Sequence, residues 1–238
     1  METRVEVWRI DLREVLAKHH TYVVGLLSEE ERDRAGRFVF PRDRDRFTAA
    51  RGAMRDILAR YAERGPESLS FAYGRYGKPR LVGSDLQFNL SHAEDWALLA
   101  VTRETEIGVD LEFVRALPDI EGILGIICSD AEKQRLAGLS RTELEAVFWP
   151  LWTGKEAVLK GEGCGFSVAP STVELSFSRA PDGVYSLRLE SWPGTPWHVH
   201  SFFPQPGYAA AIAVRSAFAP HIAVCRDFTP AFPGTPTA

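Results

Sequence analysis

The chain has 238 residues, 45% of them apolar, and a formal net charge of −4, enough to bury a core in one large domain or two small ones. No apolar run approaches membrane-spanning length, the opening METRVEVWRIDLREV does not read as a signal peptide, and the negative charge speaks against a general nucleic-acid binder. Three cysteines far apart, Cys128, Cys164 and Cys225, give neither a disulfide framework nor a CxxC zinc site, so a soluble, cytoplasmic protein is expected.

VEVWRIDL alternates as a strand does. Ser28 followed by Glu31 is a capping box that opens a short helix. Residues 32–47, RDRAGRFVFPRDRDRF, hold six arginines against three aspartates. Such a patch on an acidic protein is either a site for a small polyanion or a solvated face of Arg–Asp pairs. A longer helix is predicted over roughly 43–64, where Phe47, Ala50, Met54, Ile57, Leu58 and Tyr61 share a face and Gly65-Pro66 ends it. LSFAY is a short strand and YGRYGKPRL a glycine- and proline-rich turn. LQFNLSH and WALLAVT read as a hairpin, and EIGVDLEFV as another strand.

Helical signals return at 119–127. The apolar stretch RALPDIEGILGIICS is either an exposed docking surface or a buried helix. Ser129 with Glu132 and Ser140 with Glu143 are further capping boxes, the second opening a long helix in which Pro150 predicts a kink or restart. TVELSFS and YSLRLES follow across a Pro-Asp-Gly turn, then WHVHSFF and YAAAIAV. The tail, TPAFPGTPTA, is expected to be disordered. FNLSHAEDWALLAV and VHSFFPQPGYAAAIAV both read as strand, turn, small apolar strand, which suggests two α+β halves of similar build.

In EIGVDLEFV, alternation places Ile107, Val109, Leu111 and Phe113 on a core face and Gly108, Asp110 and Glu112 on the other. Two carboxylates at i and i+2 repel unless a cation sits near them. Oxygen ligands suit a hard ion, Mg²⁺ before Zn²⁺, whereas the plainer reading is a solvent-facing strand edge. On the long helix, Leu144, Val147, Phe148, Leu151, Trp152, Val158 and Leu159 form an apolar stripe with Lys155 near its middle. A lysine there must snorkel out or meet an anion. An exposed Glu156–Lys160 pair leaves Lys155 unexplained. A site explains it, with Glu156 joining Asp110 and Glu112 on a metal while the lysines neutralise phosphates. The helix ends in GEGCGF, whose glycines permit close backbone approach. Ser91 and His92 are neighbours on a strand and so point to opposite faces, which is no nucleophile dyad. No G-x-S-x-G elbow is present. His198 and His200 share a strand face with no third metal ligand in view.

Taken in order, the basic R-F segment, an R-x₈-R helix, YGKP, FNLSH, IGVDLE, W-x-x-KEA-x-x-K and G-x-G-F resemble the Sfp-type 4′-phosphopantetheinyl transferase family over roughly residues 30–170. The resemblance implies an α+β fold of two similar halves related by a pseudo-twofold, with coenzyme A in the cleft between them. Residues 1–104 would contact the 3′-phosphate and adenine, residues 105–228 would carry Mg²⁺ and catalysis, and 229–238 would form the tail. It implies transfer of the phosphopantetheine arm of coenzyme A to a serine of an acyl or peptidyl carrier protein, releasing adenosine 3′,5′-bisphosphate. Fatty-acid, polyketide and nonribosomal-peptide carriers all remain open.

Carried over by position, Asp110, Glu112 and Glu156 would hold Mg²⁺, and Glu156 would also be the general base, directly or through a water. Lys160 would bind the phosphates and stabilise developing charge, with Lys155 a supporting cation. Lys78, Pro79 and Ser91 would line the adenine, and His92, Arg46 and Arg37 would hold the 3′-phosphate. The internal repeat separates the chain from the short trimeric holo-ACP synthases and implies a monomer with neither nucleic-acid nor membrane partners. Two other functions fit the same residues: a Mg²⁺-dependent nucleotide or pyrophosphate hydrolase, and a non-catalytic carrier-binding module.

Overall fold

The computed structural model describes residues 3–103, 105–179, 185–194 and 196–231; the expected Pro-Asp-Gly turn and residues 232–238 lie outside them. Strand β1 (Arg4–Asp11) runs directly into helix α1 (Leu12–Leu26), because the carboxylate of Asp11 accepts the N–H groups of Arg13 and Glu14 and caps the helix. The Ser28–Glu31 capping box opens α2 (Glu29–Gly36), and Pro41 stands at the first turn of α3 (Pro41–Ala62). A small hairpin follows, β2 (Phe71–Tyr73) and β3 (Pro79–Leu81), then the hairpin of β4 (Gln87–Ala93) and β5 (Trp96–Thr102), and β6 (Ile107–Phe113).

The second half holds α4 (Ile120–Ile127), α5 (Asp130–Leu136) and α6 (Arg141–Glu162). It continues with β7 (Glu174–Arg179), β8 (Tyr185–Ser191), β9 (Trp197–Gln205), β10 (Tyr208–Arg215) and β11 (His221–Asp227). The Ser129 and Ser140 boxes cap α5 and α6 as expected. At Pro150 there is no restart: α6 continues through it as one helix, and the Thr153 hydroxyl donates to the carbonyls of Trp149 and Pro150. α4 buries Ile120, Leu124 and Ile127 and leaves Ile126 exposed, which favours the buried-helix reading of that stretch. Among the described residues, no helix is long and apolar enough to cross a membrane.

One sheet has the order β11-β1-β5-β4 and another β6-β10-β9, with β2-β3 and β7-β8 as separate pairs. Strand alternation sorts the side chains into three cores. Trp8, Ile10, Ala97, Leu99 and Val101 leave the first sheet towards α1 and α3. Val5, Val7, Leu98 and Ala100 face Val109, Leu111, Ala210 and Ile212 of the second sheet. Ala209, Ala211 and Ala213 turn the other way, onto α6. The sheets therefore lie between two long helices.

Where β4 meets β6 there is no backbone ladder. Side chains replace it: Asn89 Oδ1 accepts the Val109 N–H at 2.9 Å and Ser91 Oγ accepts the Leu111 N–H at 3.2 Å. Both pairs are 20 residues apart, so the two strands run parallel across this seam.

Three elements go beyond the sequence expectations: α1, β11, and β3, which lies in the stretch read as a turn. β11 returns from the end of the chain to pair in parallel with β1. Beyond it, residues 229–231 of the expected tail lie against α3: Arg60 donates to the Thr229 carbonyl, the Ala231 N–H donates to Asp56, and the Tyr22 hydroxyl donates to the Ala231 carbonyl.

Candidate active site

α6 lies so close to β6 that two glycines are required. A Cβ at Gly108 would stand 1.9 Å from the carbonyl oxygen of Ala157 and 2.5 Å from the amide of Gly161. A Cβ at Gly161 would meet the Trp197 ring at 2.4 Å. The face of β6 carrying Gly108, Asp110 and Glu112 therefore meets the helix, not solvent. Trp152, Glu156 and Lys160 follow one another at i, i+4 and i+8, a stripe that runs along that face.

Trp152 Nε1 donates to Glu112 Oε1 at 3.0 Å. Lys160 Nζ donates to Asp110 Oδ1 at 2.5 Å and to Ser91 Oγ at 2.9 Å, and the Ser91 hydroxyl donates to Asp110 Oδ1 at 3.2 Å. Asp110 is 2% exposed, and its Oδ2 is buried with no hydrogen-bond partner. Glu156 is half-buried, within electrostatic reach of Asp110, Glu112 and Lys160. Burial raises the Glu156 carboxyl above the ordinary carboxylate range, with Asp110 and Glu112 adding to the rise and Lys160 opposing it. Glu112 is raised for the same first reason, against the Trp152 hydrogen bond.

Three acids with too little cation, one holding an orphaned buried oxygen, form a donor set that a hard divalent cation fits. As the side chains stand, no group of three or more His, Cys, Asp or Glu among the described residues is arranged to hold a metal ion. The reason is visible in the bonds above: Lys160 takes one oxygen of Asp110 and Trp152 holds Glu112. Loading a cation requires these side chains to turn.

A groove of about 250 Å³ opens here, lined by Ser91, His92, Glu94, Asp110, Glu112, Arg115 and Lys160. Both halves of the chain contribute to it. His92 is exposed on one side but crowded on the other, and that burial, with the charges of Lys160 and Arg46, lowers its pKa. Arg46, from the first turns of α3, clamps the β4–β5 turn at 2.7 Å to both Glu94 and Asp95. Glu94 itself stands in the left-handed region at φ 46°.

The structure thus brings together Asp110, Glu112, Glu156, Lys160, Ser91 and His92, with Arg46 one turn away. Ser91 lies among the acids. Lys78 and Pro79 lie outside the groove: Lys78 Nζ donates to the carbonyls of Ile107 and Gly161, pinning the β2–β3 hairpin to the end of α6, and burial lowers its pKa to about 8. Arg37 is exposed at the end of α2.

Lys155 is a correction. It does not reach the groove, because its side chain is fully buried and its amine donates to Glu132 at 2.7 Å and to the carbonyls of Pro170 and Val173. The anion its burial demands is the capping-box glutamate of α5. His198 and His200 stay on β9, His200 stacked on Phe202, and neither joins the acids. Sequence reasoning gave no role to Trp152, Asn89 or Arg115, although the first two stand in the quoted motifs. For Trp152 the i, i+4 spacing to Glu156 was the available signal.

Residues 106–213 match the family described as the 4′-phosphopantetheinyl transferase superfamily, and residues 15–104 match the family 4′-phosphopantetheinyl transferase, N-terminal. The chain is 34% identical to the 4′-phosphopantetheinyl transferase HetI of Nostoc sp., covering 90% of this chain and 89% of that one. It is 26% identical to the 4′-phosphopantetheinyl transferase Sfp of Bacillus subtilis, covering 79% and 82%, and 32% identical to psf-1 of Bacillus pumilus, covering 83% of each. With both halves matched and a relative of this identity aligned along nearly its whole length, the chain belongs to the 4′-phosphopantetheinyl transferase superfamily.

Proposed function

We propose that this protein transfers the 4′-phosphopantetheine arm of coenzyme A to a serine of an apo acyl or peptidyl carrier protein. The observation that carries this reading is the cluster of Asp110, Glu112, Glu156 and Lys160 at the seam between two halves that both match the family. In the reaction the serine oxygen bonds to the phosphorus that bears the pantetheine arm. The bond from that phosphorus to the bridging oxygen breaks, and adenosine 3′,5′-bisphosphate leaves.

Asp110, Glu112 and Glu156 are the residues that would hold a divalent cation, taken as Mg²⁺. When bound, it offsets charge on the diphosphate and its leaving oxygen. Lys160 moves from Asp110 to the phosphates and stabilises charge as it develops. Glu156, its carboxyl already raised by burial, takes the serine proton directly or through a water. His92 and Arg46, with Arg37 beyond them, take the 3′-phosphate. Lys78 and Pro79 fix the hairpin against which the adenine lies, and Ser91 joins that binding surface to Asp110. Residues 1–104 thus bind the nucleotide and 105–228 carry the metal and the chemistry. Both walls of the groove come from one chain, which supports a monomer. Three free cysteines fit the reducing cytoplasm, where coenzyme A and carrier proteins meet.

The test incubates the protein with coenzyme A, Mg²⁺ and a panel of apo acyl and peptidyl carrier proteins, then weighs each carrier. A mass gain of one phosphopantetheine on the serine is expected. Unmodified carriers together with breakdown of coenzyme A would make the protein a hydrolase. Unmodified carriers and intact coenzyme A would make it a binding module.

A further inference from the structure

We propose that Asn89 is a positioning residue that sets Asp110 for metal binding. The inference rests on the reading of Asp110 as a ligand. Asp110 lies between Val109 and Leu111, and the amides of both neighbours are taken by side chains of β4. Ser91 holds the Leu111 side and bonds the Asp110 carboxylate as well. Asn89 holds the Val109 side alone. Asn89 is 7% exposed and Val109 fully buried, so a lost bond leaves the Val109 amide buried without a partner.

On its other edge β6 is paired residue by residue with β10, Asp110 opposite Ala211. Asn89 therefore closes the one side of β6 on which Asp110 has no ladder to fix it. The same strand carries Ser91 and His92 into the groove. Asn89 thus ties the position of a metal ligand in one half to a nucleotide-binding strand in the other. Residues that orient ligands from behind typically change metal affinity or activity by about 10–100-fold when lost.

The test compares the native protein with Asn89→Ala, Asn89→Asp and Asp110→Ala. It uses Mg²⁺ calorimetry with coenzyme A bound, amide hydrogen exchange at Val109 and Leu111, and the Mg²⁺ dependence of carrier labelling. Asn89→Ala is expected to lose protection at Val109 and to need about tenfold more Mg²⁺ or greater. Labelling should recover when Mg²⁺ is raised, because Asn89 touches neither substrate nor metal. Asn89→Asp keeps an acceptor oxygen at the same place and should keep the protection at Val109; because it adds a negative charge beside the acids, it is read by hydrogen exchange alone. Should Asn89→Ala not fold, Asn89→Thr carries the same test, since its hydroxyl stops one bond short of the amide. Inactive Asp110→Ala with a native Mg²⁺ requirement in Asn89→Ala overturns the positioning role alone. Full labelling by Asp110→Ala overturns the site assignment and the inference with it.

Discussion

Lys155 and Glu132 form an ion pair with both side chains wholly out of water, and the first half of the chain contains its counterpart. There Arg55 bonds Glu31, 2% and 6% exposed. Glu31 and Glu132 are each the glutamate of a capping box at the start of a short helix. Arg55 and Lys155 each come from the long helix that follows. Arg55 also donates to the carbonyls of Pro66 and Leu69, and Lys155 to those of Pro170 and Val173. The repeat is thus written in the cores of the two halves, with one lysine on the glutamate in the second and two arginines, Arg51 and Arg55, in the first.

Breaking the second pair should show what Lys155 is for. Lys155→Met leaves Glu132 charged and buried, which costs about 3–5 kcal/mol. Urea unfolding should register that loss, and Lys155→Met with Glu132→Gln should recover much of it. Coenzyme A affinity of the folded variant should stay native. Native stability with weakened coenzyme A binding would return Lys155 to the phosphates.

Gly108 makes a second case. Gly108→Ala places its methyl 1.9 Å from a helix carbonyl that cannot move by itself, so α6 must lift from β6. Overpacking of this kind costs roughly 1–3 kcal/mol. The lift separates Glu156 and Lys160 from Asp110, so labelling should fall more than stability does. A variant as active as the native protein would show that the close approach is not needed.

Much of this was legible in the sequence. The three capping boxes, the IGVDLE face and the Glu156–Lys160 stripe follow from periodicity and spacing, which are local. The partner of Lys155 was not, because a buried cation announces that it needs an anion without saying which. Glu132, 23 residues away, already had a local role as a cap. α1 was hidden because its cap, Asp11, is also the last residue of a strand. β11 was hidden because its partner, β1, lies at the opposite end of the chain. Asn89 was hidden because its acceptor serves an amide on another sheet.

The raised carboxyls predict how the empty and metal-loaded sites differ with pH. Glu112 and Glu156 keep their protons to higher pH in the folded chain than the ordinary value of 4.5. The folded state binds more protons between that value and the raised ones, so their contribution is fully present below pH 4.5 and is lost as pH rises through the raised values. A bound cation favours the ionised forms and should remove that loss. His92 and His200, lowered by burial, act in the opposite direction in the same range, so the readout is the difference: Mg²⁺ should shift the slope of the thermal midpoint against pH upward. Glu156→Gln, which cannot ionise, should shift the metal-free slope in the same direction relative to the native protein. Identical pH profiles for the native protein and Glu156→Gln would remove Glu156 from this explanation.

Glu156→Gln also separates chemistry from binding. Glutamine keeps the size and one oxygen ligand but carries no charge and takes no proton. If Glu156 is both metal ligand and base, labelling should fall by at least roughly the 10²–10⁴-fold typical of a lost general base. Coenzyme A should still bind, because Lys160, His92 and Arg46 remain at the groove. Raising Mg²⁺ restores occupancy but supplies no base, so the rate should recover only in part. Full recovery with Mg²⁺ would leave Glu156 as a ligand alone. An unchanged rate would leave Glu156 without a catalytic role and pass the proton to another acceptor in the groove.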